Sequence, residues 1–148
     1  MRDFLKTTVF IIITALPLHF IWEMLQMPLY QCQLGFSQCV SICFIASLGD
    51  VVMTLVIFIL IAIAYQDFNW HIDLHNAKYI LAAVIGLLFA IIFEQFAVQT
   101  SRWEYSLLMP LIPLLKIGMS PALQMTLLTP LGFKLVNILS KNKLNIRI

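Results

Sequence analysis

The sequence predicts an all-α membrane protein: one domain over residues 1–148, built as an antiparallel bundle of four transmembrane helices. Three observations lead to this prediction. The chain is 61% hydrophobic and 11% charged, whereas a soluble domain carries roughly 25% charged residues. Four apolar stretches each approach the ~20 residues that cross a bilayer. The connections between them are short, so helices that follow each other in sequence should pack side by side.

The predicted spans are residues 4–27, 40–65, 79–98 and 119–139. The first is interpreted as an uncleaved span, since its apolar stretch runs on without a clean signal-peptidase site. The segment SLLMPLIPLLKIG, before the fourth span, is apolar but short, and its Pro110 and Pro113 each lack a backbone donor. We expect this segment to be bent, and to be interfacial or partly re-entrant, shielded by the other helices.

Lys and Arg residues indicate the orientation, because they concentrate in cytoplasmic loops. They flank both ends of the chain, and Lys78 lies in the second loop, whereas residues 28–39 contain none. Arg102 and Lys116 in the third connection are evidence against this orientation. The prediction is a multi-pass protein of the cell membrane, the inner membrane of a bacterium, with both termini in the cytoplasm. Cys32 and Cys39 can form a disulfide if the first loop faces an oxidising compartment.

Polar residues of the predicted spans gather at one level, in the outer half of the membrane. Asp50 should lie roughly 15 Å along the second span, at a depth similar to that of Glu23 and Glu94. Their spacing also places them on single helix faces. The faces are His19, Trp22, Glu23 and Gln26 on the first helix; Cys43, Ser47, Asp50 and Thr54 on the second; and Ala83, Gly86, Ala90, Glu94 and Ala97 on the third. These faces should point into the bundle, because an acid that faces lipid costs at least ~2.5–3.5 kcal/mol.

The candidate catalytic residues are Glu23, Asp50, His19 and Glu94. Three carboxylates and an imidazole cannot all stay charged in a low-dielectric site, and a protonated acid beside an ionised one suits acid–base chemistry. If the protein is an enzyme, Glu23 and Asp50 would be the acid–base pair, with His19 and Glu94 tuning them. The sequence leaves open whether it is an enzyme.

Further residues are candidates for binding a ligand near the same acids. Trp22 can stack on a substrate or on a developing cation. The third loop, TSRWEYS, is a candidate lid. The complete set of candidate ligand-binding residues is Trp22, Gln26, Gln124, Trp103, Glu104 and Tyr105. The loop segment WHIDLH is interpreted as solvated, with Trp70 at the membrane interface.

Several functions remain open, and one class is excluded. The leading hypothesis is a pocket that binds, isomerises or cyclises a lipophilic small molecule. The alternatives are transport of a proton, metal ion or small cation, and an accessory subunit whose polar residues only hold the helices together.

No cofactor is predicted, although His19, Glu23, Asp50 and Glu94 could supply ligands to a divalent metal. Nucleic acid is excluded as a partner because the net charge is only +2 and no basic patch exists. Membrane lipids are expected partners, and a homo-oligomer or larger membrane complex is left open.

The stretches HFIWEMLQMPLY, SLGDV and RWEYSLLMPLIP together resemble a family of small four-span bacterial membrane proteins. This resemblance covers most of the chain, and it implies a fold but no activity. It also implies that the recurring pattern includes Trp22, Glu23, Gln26, Pro28, Asp50, Trp103, Tyr105, Met109, Pro110 and Pro113. The architecture is more loosely similar to that of membrane sterol isomerases, an analogy that transfers no residue roles.

The predicted orientation can be tested with reporter fusions. Because Lys and Arg residues accumulate at both chain ends, a reporter attached to Met1 and one attached to Ile148 should each report the cytoplasm. A reporter inserted in the first loop, which has no basic residue, should report the opposite side. Activity of a periplasm-specific reporter at either terminus would contradict the orientation.

Overall fold

The computed structural model describes residues 2–32, 34–72 and 76–145. Four long helices dominate it: α1 (Arg2–Gln26), α2 (Phe36–Tyr65), α3 (Asn76–Gln99) and α4 (Met119–Asn145). A short 3-10 turn, Met27–Leu29, follows α1, and two short strands, β1 (Leu111–Ile112) and β2 (Ile117–Gly118), precede α4. All four helices are long and apolar enough to cross a membrane. The prediction of four helices in the expected order is confirmed.

The helices pack in a ring in which each has two principal neighbours. Helix α1 contacts α2 and α4, and α3 contacts α4 and α2. The outward faces remain strongly apolar. Leu25, Ile45, Ile63 and Ile80, for example, are each more than half exposed. Four such faces suit a hydrocarbon environment rather than water.

Small residues bring α3 close to α4. A Cβ atom added to Gly86 would lie 2.5 Å from the backbone oxygen of Met125 and 3.4 Å from Thr129 Oγ1. The buried face of α3 also includes Ala90 and Glu94, as predicted. Its first small residue, however, is the buried Ala82 rather than the half-buried Ala83, so the predicted face is wrong by one residue at that end.

The two ends of the bundle differ in how their loops are held. At the bridged end, residues 28–31 pair with residues 104–106. There Gln31 N donates to Glu104 O at 2.9 Å, and Ser106 N donates to Leu29 O at 2.9 Å. Cys32 and Cys39 form a disulfide at the same end. The disulfide that the sequence left open is therefore present, and it ties the first loop to the first turn of α2.

At the other end, the Trp70 end, the loop of residues 66–72 folds into the bundle. Trp70 is fully buried, and its Nε1 donates to the Phe58 backbone oxygen at 3.2 Å. Its ring packs edge-on against Phe133, with 5.0 Å between centroids. His71 is buried as well. The interpretation of WHIDLH as solvated, with Trp70 at the interface, is therefore wrong for Trp70 and His71. Asp73 and His75 lie outside the described residues.

The proline-rich segment before α4 forms a hairpin. Strands β1 and β2 pair antiparallel, with Ile112 opposite Ile117. Lys116 sits at the turn with a φ of 53°, in the left-handed region. Pro110 and Pro113 flank β1, where missing backbone donors are tolerated because the strand is short and at an edge. The predicted bend is present, and the interfacial position of this segment stays a prediction.

The close approach at Gly86 predicts that Gly86→Ala destabilises the protein. The added methyl group would strike α4 backbone, which cannot rotate away, so we expect a loss of about 1–3 kcal/mol in the free energy of unfolding. Gly49→Ala is the matched control, because a Cβ there meets nothing within 4 Å. In a helix interior that change should be neutral or stabilising. Unfolding in mixed detergent micelles measures both, and equal effects would contradict the packing argument.

The buried His71 predicts a pH-dependent loop. Burial lowers the pKa of His71, and the nearby Asp67 only partly opposes this shift. The folded state therefore holds a neutral ring, while the unfolded state gains a proton below its ordinary pKa of roughly 6.5. Stability from this residue is thus complete above that pH and is lost as the pH falls.

The variant His71→Phe tests this prediction. It keeps an aromatic ring and removes Nδ1, a buried atom without a hydrogen-bond partner. We expect it to be more stable than the parent by about 1 kcal/mol at neutral pH, and less sensitive to acid between neutral pH and pH ~5. Thermal unfolding across that range measures both. An identical pH slope in parent and variant would contradict the prediction.

Candidate functional site

The predicted site residues of α1, α2 and α4 meet in one hydrogen-bonded network, and Gln124 is its centre. Gln124 is almost fully buried. Its Oε1 accepts from Gln26 Nε2 at 2.9 Å, and its Nε2 donates to Asp50 Oδ2 at 2.8 Å. The same Nε2 lies 3.2 Å from His19 Nδ1. A single amide therefore joins three helices and uses both its carbonyl and its two N–H groups.

The hydrogen bonds around His19 assign its tautomer. His19 is fully buried, and its Nε2 lies 3.4 Å from Thr54 Oγ1. The Thr54 hydroxyl donates its only proton to the Asp50 backbone oxygen at 2.9 Å. It must therefore accept from His19 Nε2–H, which leaves Nδ1 as the acceptor for Gln124. The network is complete with a neutral imidazole, and Asp50 Oδ2 is 3.5 Å from Nδ1 should the ring take up a proton.

Glu23 is held by a second amide. Gln26 Nε2 donates to Glu23 Oε1 at 2.8 Å, and Gln26 Oε1 accepts from Ser120 Oγ at 2.7 Å. Trp22 Nε1 lies 3.3 Å from the same Ser120 oxygen and donates to it. These hydrogen bonds therefore form a chain with one direction of donation. The chain begins at the Trp22 indole, passes through the Ser120 hydroxyl and the two glutamine amides, and ends at Glu23 and Asp50. Both acids receive an N–H from a glutamine.

The two acids are also connected to each other through the side chains of Gln26 and Gln124. No Lys or Arg among the described residues forms an ion pair with Glu23, Asp50 or Glu94; His19 is the basic group closest to Asp50. One connected network thus carries two carboxyl groups and an imidazole inside an apolar bundle.

Glu94 belongs to a separate part of the site, nearer the bridged end. The Tyr105 hydroxyl donates to Glu94 Oε2, and Gly118 N donates to the Tyr105 oxygen at 3.0 Å. Tyr30 packs against Tyr105 with 5.6 Å between ring centroids. Burial raises the pKa of both Tyr30 and Tyr105 well above the ordinary value. Both phenols therefore keep their protons, and Tyr105 donates its proton to Glu94.

The third loop covers the site with backbone and aromatic groups. Trp103 packs edge-on against Tyr30 at 6.3 Å, and its Nε1 is buried without a hydrogen-bond partner. The Glu104 side chain, in contrast, is exposed, and only its backbone oxygen contacts the first loop. The structure thus brings Trp103 and Tyr105 to the site and leaves the Glu104 carboxylate outside it.

Three residues of the site were not among the sequence candidates: Thr54, Ser120 and Tyr30. Thr54 follows Asp50 at a spacing of four, and Ser120 precedes Gln124 at the same spacing, so both share a helix face with a predicted residue. That periodicity was the available signal. Tyr30 carried no comparable signal, because its position depends on the pairing of two distant loops.

A metal centre finds no support in the geometry. Within residues 2–32, 34–72 and 76–145, no three His, Cys, Asp or Glu side chains come together in a way that could hold a metal ion. The nitrogen that His19 would offer, Nδ1, already accepts from the Gln124 amide. The clefts of about 430 and 230 Å³ found among the same residues lie elsewhere, and the network is closed by its own side chains.

Comparison of the chain with protein-family models, with curated proteins and with solved structures finds no match in any of the three. The resemblance to small four-span bacterial proteins therefore stays a prediction.

Proposed function

We propose that this is a multi-pass membrane protein whose buried acid network binds, or performs acid–base chemistry on, a lipophilic small molecule. One observation carries the proposal: Glu23, Asp50 and His19 share a network that contains titratable groups but no Lys or Arg to neutralise the acids. Intramembrane ionisable residues are costly, and they usually mark functional sites. Amides or hydroxyls could hold three helices together without that cost.

The proposal includes the orientation of the site. The bridged end carries the Cys32–Cys39 disulfide, and disulfides persist in oxidising compartments such as the periplasm. The Lys-free first loop lies at the same end. Both features support an antiparallel bundle in the bacterial inner membrane, with cytoplasmic termini and with the acids in the outer half.

Access to the acids would require the two outer loops to separate. Four hydrogen bonds join them: the two backbone bonds of the bridged end, Gln31 Nε2 to the Tyr105 backbone oxygen at 3.1 Å, and Ser106 Oγ to the Pro28 backbone oxygen at 3.0 Å. Loop contacts of this kind open at low free-energy cost compared with helix packing. A lipophilic molecule entering there would meet the Tyr105–Glu94 pair first and then Glu23.

In an enzyme with this site, Glu23 and Asp50 would exchange the proton. Their carboxyl groups are joined through Gln26 and Gln124, and one could hold a proton while the other is ionised. His19 would act as a positioning residue, because its Nδ1 shares the Gln124 amide with Asp50. Trp22 would present its ring to the substrate or to a developing cation, with Ser120 holding the indole.

A second function, that of a structural subunit, is favoured by one observation. The hydrogen bonds of Gln124 are all made within the protein, and they join α1, α2 and α4. Transport, the third hypothesis, gains no such support. Towards the Trp70 end the bundle is closed by the rings of Phe58, Trp70 and Phe133, each at most 1% exposed.

The substitution Glu23→Gln separates the first function from the second. It keeps the shape and an acceptor for Gln26 but removes the ionisable group, and interhelical hydrogen bonds in membranes average only about 0.6 kcal/mol. We therefore expect Glu23→Gln to unfold within about 1 kcal/mol of the parent and to lose any lipophilic molecule that the purified parent retains. Native mass spectrometry of the gently solubilised protein measures retention, and unfolding in mixed micelles measures stability.

Two further variants serve as controls. Trp22→Leu keeps apolar bulk and removes the ring, so it should also lose the retained molecule while remaining folded. Gln124→Leu leaves buried partners without a hydrogen bond and should cost about 1–3 kcal/mol of stability. If Glu23→Gln retains the molecule, or loses it only by unfolding as Gln124→Leu does, the acid network is structural and the pocket hypothesis is wrong.

A further inference from the structure

Two basic residues lie at the bridged end, where the orientation argued above disfavours them. Arg102 follows α3, and Lys116 ends the turn of the hairpin before α4. Among the described residues, neither forms an ion pair with a carboxylate. The Arg102 guanidinium lies over the Phe96 ring at 5.4 Å instead. No carboxylate in the described part of the chain therefore pairs with either positive charge.

Lys116 is held in an unusual backbone conformation. Its φ is 53°, in the left-handed region that costs a residue with a side chain of this size free energy. The hairpin keeps it there, with Lys116 N donating to the Ile112 oxygen at 2.8 Å. A glycine would adopt this turn more readily, so the turn conformation alone does not explain why residue 116 is a lysine. A role for the ammonium group would account for the residue at this position.

The cleft beside Lys116 has the chemistry of an anion site. It measures about 230 Å³ and lies between α3 and the hairpin, lined by Gln95, Val98, Gln99, Leu115, Lys116 and Ile117. Gln95 and Gln99 are one helical turn apart on the same face. One ammonium group and two amides can donate to phosphate oxygens, and no acid lines the cleft. Complete small-molecule pockets measure roughly 300–1,000 Å³, so this cleft suits a head group rather than a whole ligand.

The surface next to the cleft is strongly apolar. The hairpin and the segment before it expose four leucine side chains: Leu107, Leu108, Leu111 and Leu114 are 105%, 71%, 48% and 96% exposed. This apolar patch lies on a hairpin beside the ends of two apolar helices. A surface of this kind is suited to contact acyl chains at the boundary between the head groups and the hydrocarbon layer. Free phosphate would use the cleft alone, whereas a phospholipid would use both the cleft and the leucines.

We propose that the cleft between α3 and the hairpin binds the phosphate head group of an anionic outer-leaflet phospholipid. Lys116 pairs with the phosphate, Gln95 and Gln99 donate to its oxygens, and the exposed leucines contact the acyl chains. This site is distinct from the acid network, although Gln95 directly follows Glu94 and Ile117 directly precedes Gly118. It rests on the orientation proposed above, and it does not depend on the acid–base role of the network.

The test uses the full-length protein in detergent and short-chain lipids added in titration. Native mass spectrometry would compare a phosphatidylglycerol, a phosphatidylcholine and inorganic phosphate. We expect phosphatidylglycerol to bind best, and Lys116→Gln to weaken it about fivefold to tenfold, the effect of one basic group near a lipid surface. Lys116→Arg keeps the charge and should restore binding. Lys141→Gln is the matched control, since Lys141 is an exposed lysine near the end of α4, and it should bind like the parent.

Each result bears on the proposal. Gln99→Leu, which leaves every charge in place, should also weaken binding if the amide contacts the phosphate. Unchanged affinity in both Lys116→Gln and Gln99→Leu would overturn the site. Equal binding of phosphatidylcholine would overturn the preference for an anionic lipid, and equal binding of inorganic phosphate would overturn the role of the acyl chains. Glu23→Gln should bind phosphatidylglycerol like the parent, so failure of the acid network and failure of this cleft are distinguishable.

Discussion

The structure depends on pairing the polar side chains that α1, α2 and α4 bury around Gln124. In an apolar interior an unpaired donor or acceptor costs several kcal/mol, because the group has lost its hydrogen bonds to water and has gained none in return. Gln124 meets this constraint for three helices at once, because its carbonyl faces Gln26 and its two N–H groups face Asp50 and His19. The relative positions of α1, α2 and α4 are therefore set by one amide as well as by packing.

The same constraint explains why α3 is joined to the other three helices in a different way. Helix α3 approaches α4 through Gly86, which lies close to the backbone of Met125, and its only buried acid is paired with a loop residue, Tyr105. The Tyr105 hydroxyl in turn accepts from the backbone N–H of Gly118, the residue before α4. Closure of the loops and closure of the helix ring are thus coupled: movement of the third loop would leave Glu94 without its donor.

The sequence predicted the helices and most of the site, for a physical reason. Apolar runs and the helical period fix which residues are buried on each helix, so Asp50, Glu23 and Gln124 could be brought together without a structure. Contacts that depend on loop pairing could not. Tyr30 reaches the site only because residues 28–31 pair with 104–106, and Trp70 enters the core because its indole finds the Phe58 carbonyl. Neither contact produces a periodic pattern of residues in the sequence, and the hairpin turn at Lys116 produces none either.

The network also contains more acid than helix packing requires. A glutamine at position 23 would still offer a side-chain oxygen to Gln26 Nε2, so the bonds of Gln26 and Gln124 do not require a carboxyl group there. The carboxyl group adds the ability to exchange a proton with Asp50, in a site with no Lys or Arg and with a neutral His19 as nearest base. Retaining that group in an apolar bundle is costly. A purely structural network would be more stable without it, and this excess of titratable groups is the strongest argument for chemistry at the site.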